Sequence, residues 1–99
     1  MSRQLELIPP GEIVLVEFME PLGISQNRLA RDIDVPVSRI AGIVKGGRAI
    51  TADTALRLAA YFSTSPDMWL RLQCTYDIKL ARRNTWPKVK GRIRALAAT

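Results

Sequence analysis

The sequence predicts an all-α domain of five helices, residues 1–82, followed by a basic C-terminal tail, residues 83–99. Three observations predict it. Apolar residues recur at helical spacing in successive stretches. Ser, Thr, Pro and Gly punctuate those stretches where helices start and stop. Strand signals are weak, with no clean alternation and no Asn-Gly or Asp-Gly hairpin turn. Ninety-nine residues suit one domain with one modest core.

Each element has its own signals. Pro10-Gly11-Glu12 opens a segment carrying Ile13, Leu15, Val16, Phe18, Met19 and Leu22, which ends near Pro21-Leu22-Gly23. Ser25 is placed to cap a second helix whose apolar side is Leu29, Ala30 and Ile33. Asp34-Val35-Pro36 breaks it, with Pro36 as a first-turn proline of a third helix. That helix carries Ile40, Ile43 and Val44 and stops at Gly46-Gly47. Thr51 caps a fourth, with Ala55, Leu56, Leu58, Ala59 and Phe62 as its buried stripe. Ser65-Pro66-Asp67 combines a cap, a first-turn proline and a carboxylate favoured by the helix dipole. The fifth helix carries Trp69, Leu72, Tyr76 and Leu80. Asn84-Thr85-Trp86-Pro87 then breaks the pattern, and residues 88–97 suffice for a short terminal helix.

The formal net charge is +6, and its distribution carries the information. Residues 1–24 set Arg3 against Glu6, Glu12, Glu17 and Glu20. Residues 25–50 set Arg28, Arg31, Arg39, Lys45 and Arg48 against Asp32 and Asp34. Beyond Asp77 there is no acid, only Lys79, Arg82, Arg83, Lys88, Lys90, Arg92 and Arg94. Two basic regions suggest a polyanionic partner, and the acidic first quarter suggests a basic protein partner. No apolar run approaches the roughly 20 residues that span a bilayer, and the first residues lack a secretory pattern. The one cysteine, Cys74, excludes an intrachain disulfide and fits a reducing cytosol. These features point to a cytoplasmic protein with no membrane association.

Residues 25–45 have the spacing of a helix-turn-helix. Two helices crossing sharply need a small residue where their backbones meet, which Ala30 supplies. Four positions later the turn needs a residue tolerant of positive φ. Glycine is usual there; this chain has Asp34, which visits the left-handed region more readily than most residues. Leu29, Ile33, Val35, Ile40 and Ile43 tie both helices to the body. The second helix of the pair is then free to enter the major groove of DNA while the first crosses the backbone. Candidate DNA-binding residues are Gln26 and Asn27 for phosphate, and Val37, Ser38, Ala41 and Gly42 on the front of the recognition helix. Arg39 reaches a base or a phosphate; Val37 suits a thymine methyl and Ser38 several base edges. Lys45 and Arg48 pair with phosphates, or are simply solvated charges. A helical hairpin that packs and binds nothing is the bland alternative.

Catalytic constellations are missing. With no histidine, the commonest general base and zinc ligand is gone. Cys74 sits mid-helix and reads as an inert buried thiol. There is no Gly-rich phosphate loop, and the carboxylates lack metal spacing. The expectation is no enzyme, no cofactor and no metal.

Four segments in order, Pro10-Gly11-Glu12-Ile13, Glu20-Pro21-Leu22-Gly23-Ile24-Ser25-Gln26, residues 48–58 from Arg48 to Leu58, and residues 65–73 from Ser65 to Gln73, resemble the HigA family of antitoxins. That family belongs to the lambda-repressor-like (XRE) helix-turn-helix group and includes proteins labelled virulence-associated protein I. The resemblance covers about residues 8–80. It implies a five-helix DNA-binding homodimer from a bacterial type II toxin–antitoxin operon, which represses its own promoter on operator DNA and binds a HigB-like mRNA-cleaving toxin. The basic tail lies outside the family pattern. An RNA-cleaving toxin should be basic, so Glu12, Glu17 and Glu20 form a docking face for it, unless they are only a solvated helix face. A free-standing phage-type repressor and a protein-interaction module that has lost DNA binding are the competing readings.

Overall fold

A computed structural model describes residues 7–97, and among these every regular element is helical. Arg3 and Glu6 of the acidic first quarter lie outside the described residues. Helix α1 runs over residues 10–22, in the pieces Pro10–Ile13, Val14–Met19 and Glu20–Leu22. Then come α2 (Gln26–Asp32), α3 (Val37–Lys45), α4 (Ala52–Phe62), α5 (Pro66–Asn84), the short α6 (Trp86–Val89) and a 3₁₀ turn over Lys90–Arg92. The five expected helices are present and α6 makes a sixth. It begins inside the expected break, and residues 93–97 have no regular structure, so no helix spans 88–97. Proline at the first-turn position starts α6 early, directly after Thr85 ends α5.

Helix boundaries follow local chemistry. Ser25 Oγ accepts the Arg28 N–H at 3.0 Å and Ser65 Oγ the Met68 N–H at 3.1 Å, so both expected caps form. Gly23 (φ 65°) and Gly46 (φ 89°) end α1 and α3 in the left-handed region. Two expectations shift. Pro36 sits one position before α3 rather than inside its first turn, with its carbonyl accepting the Arg39 N–H at 3.0 Å. Thr51 precedes α4 but caps it with its backbone carbonyl alone, which takes the Ala55 N–H at 2.8 Å.

The core contains Val14, Met19, Leu29, Ala30, Ile33, Ile40, Ile43, Ile50, Ala55, Leu58, Ala59 and Trp69. Helix α1 differs from the periodicity expected of it because Val14–Met19 is π-helical, with the Glu20 N–H reaching the Leu15 carbonyl. Val14 and Met19, five residues apart, are 2% and 1% exposed; at 3.6 residues per turn they would point about 140° apart. The wider turn aligns them, and Val16 and Leu22 are left on the surface. On α4, Leu56 is 60% exposed and Thr54 is buried in its place. Trp69 is fully internal: its ring meets Phe18 at 5.0 Å and Phe62 at 6.4 Å, and its Nε1–H donates to Thr64 Oγ1 at 2.7 Å. Cys74, expected to be buried, is exposed on the outer face of α5.

Gly11 sets the position of α3. A Cβ there would lie 1.7 Å from the Ile43 carbonyl oxygen, so α1 touches the backbone of α3 directly. The Pro-Gly pair that opens α1 is therefore a contact requirement as well as a helix start. Beyond the body, the distal part of α5 carries α6 outward. The radius of gyration is 16.7 Å, against about 13 Å for a compact chain of this length.

Candidate nucleic-acid interface

The site is built on α2, α3 and the turn between them. Leu29 and Ala30 of α2, Ile33 of the turn, and Ile40 and Ile43 of α3 are all buried, which fixes both helices to the body by one face. Asp34 takes φ 59°, the left-handed conformation the turn requires, and the Val35 N–H reaches back to the Ala30 carbonyl at 3.0 Å.

The turn is clamped from α4. Arg57 Nη1 donates to the carbonyls of Ile33 at 2.7 Å and Asp34 at 3.0 Å, while Arg57 Nε donates to Asp53 Oδ2 at 3.0 Å. The same Asp53 oxygen accepts Arg39 Nη1 from α3 at 2.6 Å, with Thr54 Oγ1 a further 3.5 Å contact. One carboxylate thus joins the recognition helix, the turn clamp and the first turn of α4. Hydrogen bonds from Arg39 and then Arg57 hold the Asp53 carboxyl below the usual carboxylate range. On the other side of the turn, Tyr61 donates its hydroxyl to Asp32 Oδ2 at 2.6 Å, with Arg28 Nε 3.4 Å from the same oxygen. This bond lowers the Asp32 pKa and raises that of Tyr61.

The predicted DNA-binding residues divide into three groups. Asn27, Val37, Ser38, Lys45 and Arg48 are exposed, and Gln26, Ala41 and Gly42 are half-buried. Arg39 is also half-buried and engaged with Asp53. Gly42 does not present bare backbone: a Cβ there would meet Arg48 Cβ at 3.2 Å, so Gly42 makes room for the Arg48 stem to cross it. The Gly47 and Arg48 N–H groups both bond the Gly42 carbonyl, at 3.0 and 3.1 Å, folding the loop back over the end of α3. That loop is pinned from α5, where Gln73 Oε1 accepts the Ile50 N–H at 2.8 Å and Gln73 Nε2 donates to Asp77 Oδ1 at 2.9 Å. The recognition helix therefore starts at an end with no side-chain cap, which exposes Val37 and Ser38, and finishes under Lys45 and Arg48.

Sequence reasoning missed Asp53, Arg57 and Gln73 as parts of this site. The Asp53–Arg57 spacing of four on a helix was a readable signal for an ion pair. Their reach across to α3 and to the turn was not readable. Among the described residues no group of His, Cys, Asp or Glu could hold a metal ion, and no helix is long and apolar enough to cross a membrane.

A fold with two helices joined by a left-handed turn, the second with one polar face open, defines a helix-turn-helix protein. A helix-turn-helix family model matches residues 15–69. Virulence-associated protein I of Dichelobacter nodosus is 44% identical over 83 residues, covering 84% of this chain and 77% of that protein. An addiction module antidote protein of the HigA family from Coxiella burnetii superposes with TM-score 0.85 and 41% identity, over 93% of this chain and 100% of that one. The Pseudomonas aeruginosa antitoxin HigA, solved with the higBA promoter, superposes with TM-score 0.88 and 36% identity over the same shares. The chain belongs to the helix-turn-helix family, in its HigA antitoxin and virulence-associated protein I branch.

Proposed function

We propose that this protein is a type II antitoxin that binds operator DNA as a homodimer, represses its own operon and neutralises a HigB-like mRNA-cleaving toxin. The observation that carries the DNA-binding part is the exposed front of α3, Val37 and Ser38, held on a turn clamped by Arg57 and followed by exposed Lys45 and Arg48. Ser38 and Arg39 read base edges, Val37 contacts a thymine methyl, Ala41 adds little bulk at the groove, and Gly42 seats the Arg48 stem that crosses it. Gln26, Asn27, Lys45 and Arg48 meet phosphates and set the register. The promoter-bound relative supports this reading through a shared fold at 36% identity.

The toxin part rests on membership of the antitoxin branch and on charge. Glu12, Glu17 and Glu20 are all exposed on α1. Glu17 also lines a groove with Phe18, Leu22, Phe62 and the cation Arg28, so an apolar surface adjoins one of the three carboxylates offered to a basic protein.

Two experiments separate the components. Gel-shift binding to the DNA upstream of the chain's own coding sequence tests the repressor reading, and no preference over scrambled DNA would reject it. Co-purification with the product of an adjacent small reading frame tests the toxin reading. A chain that binds its operator but has no such neighbour is a free-standing repressor.

A further inference from the structure

The DNA-reading role leaves a question at Arg39, whose guanidinium is spoken for by Asp53 before any DNA arrives. The engagement is end-on. Arg39 uses Nη1 toward Asp53 and Thr54, and among the described residues its Nε–H and Nη2 groups have no other acceptor. A guanidinium presents five donors in a rigid fork, so one anchored nitrogen leaves an open edge able to make the paired bonds that read guanine. Asp53 is well placed to do the anchoring. It lies in the first turn of α4, where the helix dipole favours its charge, and a second arginine, Arg57, fixes the same oxygen while clamping the turn below α3. Two guanidinium groups against one carboxylate leave a net positive charge beside the recognition helix.

We propose that Asp53 is a positioning residue for DNA reading: it holds the Arg39 guanidinium in one orientation on α3 and so raises sequence discrimination, though it is itself an acid close to a polyanion. The inference rests on the proposed reading of DNA by α3. Its signature is a pair of opposite effects. Removing an acidic charge near DNA strengthens binding to every sequence. Removing an anchor from a base-reading arginine weakens binding to the operator alone, because the arginine then loses its rotamer freedom only on binding.

The test measures fluorescence anisotropy of the full chain with two duplexes at one salt concentration: the DNA upstream of its own coding sequence, and a scrambled duplex of equal length. The variants are Asp53→Asn, Arg39→Ala, Arg39→Lys and the double Asp53→Asn/Arg39→Ala, each checked by thermal melting. Asp53→Asn should lower the operator-to-scrambled affinity ratio about tenfold, the scale of one base-reading interaction, while scrambled binding rises. In the Arg39→Ala background, Asp53→Asn should leave the ratio unchanged. Arg39→Lys keeps a cation facing Asp53 but has no fork; it should lose the ratio as well, and full selectivity in it would reject the proposal even if Asp53→Asn melts. Equal strengthening on both duplexes, full selectivity in Arg39→Lys, or additive losses in the double variant would each overturn the proposal. If the parent itself does not prefer its upstream DNA, the reading of α3 fails first.

Discussion

Asp34 stands where a helix-turn-helix ordinarily has glycine, and its backbone takes the glycine conformation, φ 59°. Asp34→Gly should keep or raise the melting temperature, because it relieves the left-handed strain of a side chain. Asp34→Ala should be less stable than the glycine variant by about 1 kcal/mol. Thermal melts of the two variants compare them directly. Asp32 and Asp53 give the molecule an acid-side dependence. Both have folded pKa values below their unfolded ones, so the stability they contribute is present above the ordinary carboxylate pKa of 3.8 and is lost as pH falls through the lowered values. Tyr61→Phe removes the largest cause of the Asp32 shift. It should flatten the fall in melting temperature below pH 3.8, and an acid limb identical to the parent's would contradict this. These residues also mark what was legible. The turn could be read at Asp34 because φ tolerance is a property of one residue type. The Arg57 clamp could not, since it joins carbonyls 23 and 24 positions away.

At the scale of elements, caps were readable wherever one side chain reaches three residues along, as at Ser25 and Ser65. The buried face of α1 was not, because the π-helical stretch turns Val14 inward and Val16 outward, and periodicity arguments assume a single pitch. The exposure of Cys74 on α5 was hidden for a related reason: Gln73 turns inward to hold Ile50, which leaves its neighbour outside. Ile40→Ala, at a site 2% exposed, should cost about 2–5 kcal/mol. Gly11→Ala adds only a methyl, but it must push α1 off the Ile43 carbonyl. It should lower the melting temperature and also weaken operator binding in whatever fraction stays folded. Normal stability and binding in Gly11→Ala would mean that α1 does not set the position of α3.

For the molecule as a whole, the proposed reading predicts a two-fold operator with half-sites about 10 bp apart, since one α3 reads few bases, and footprinting that protects a single unpaired half-site would contradict it. The proposed homodimer would draw on the apolar residues of α5 that the body leaves uncovered. Trp69 is wholly internal and contributes nothing to it, while Leu72 and Tyr76 remain half-buried. Exposed Ile78, Trp86, Ile93 and Leu96 extend an apolar surface toward the C-terminus. Where the tail leaves α5, Trp86 lines a groove with Ile78, Ala81 and Arg82. Deleting residues 84–99 removes Lys88, Lys90, Arg92 and Arg94. If these meet phosphates, the slope of log affinity against log salt becomes shallower by about 0.9 for each phosphate no longer neutralised, with the preferred operator unchanged. An unchanged slope with dimers intact would leave the tail as solvated surface, and loss of the dimer on sedimentation would make it an association arm.

Reading of the operator by the open front of α3 is put to the test by comparing the parent with Ser38→Ala/Arg39→Ala on the upstream duplex. Neither side chain is buried, so the double variant should melt near the parent temperature. The parent should bind its upstream DNA about a thousandfold or more tighter than scrambled DNA. The variant should lose about 1–3 kcal/mol of that preference for each base-reading side chain removed, while scrambled binding weakens only by the share owed to one lost cation. A variant that is folded and binds the upstream duplex as tightly as the parent would contradict the assignment of α3 as the reading helix.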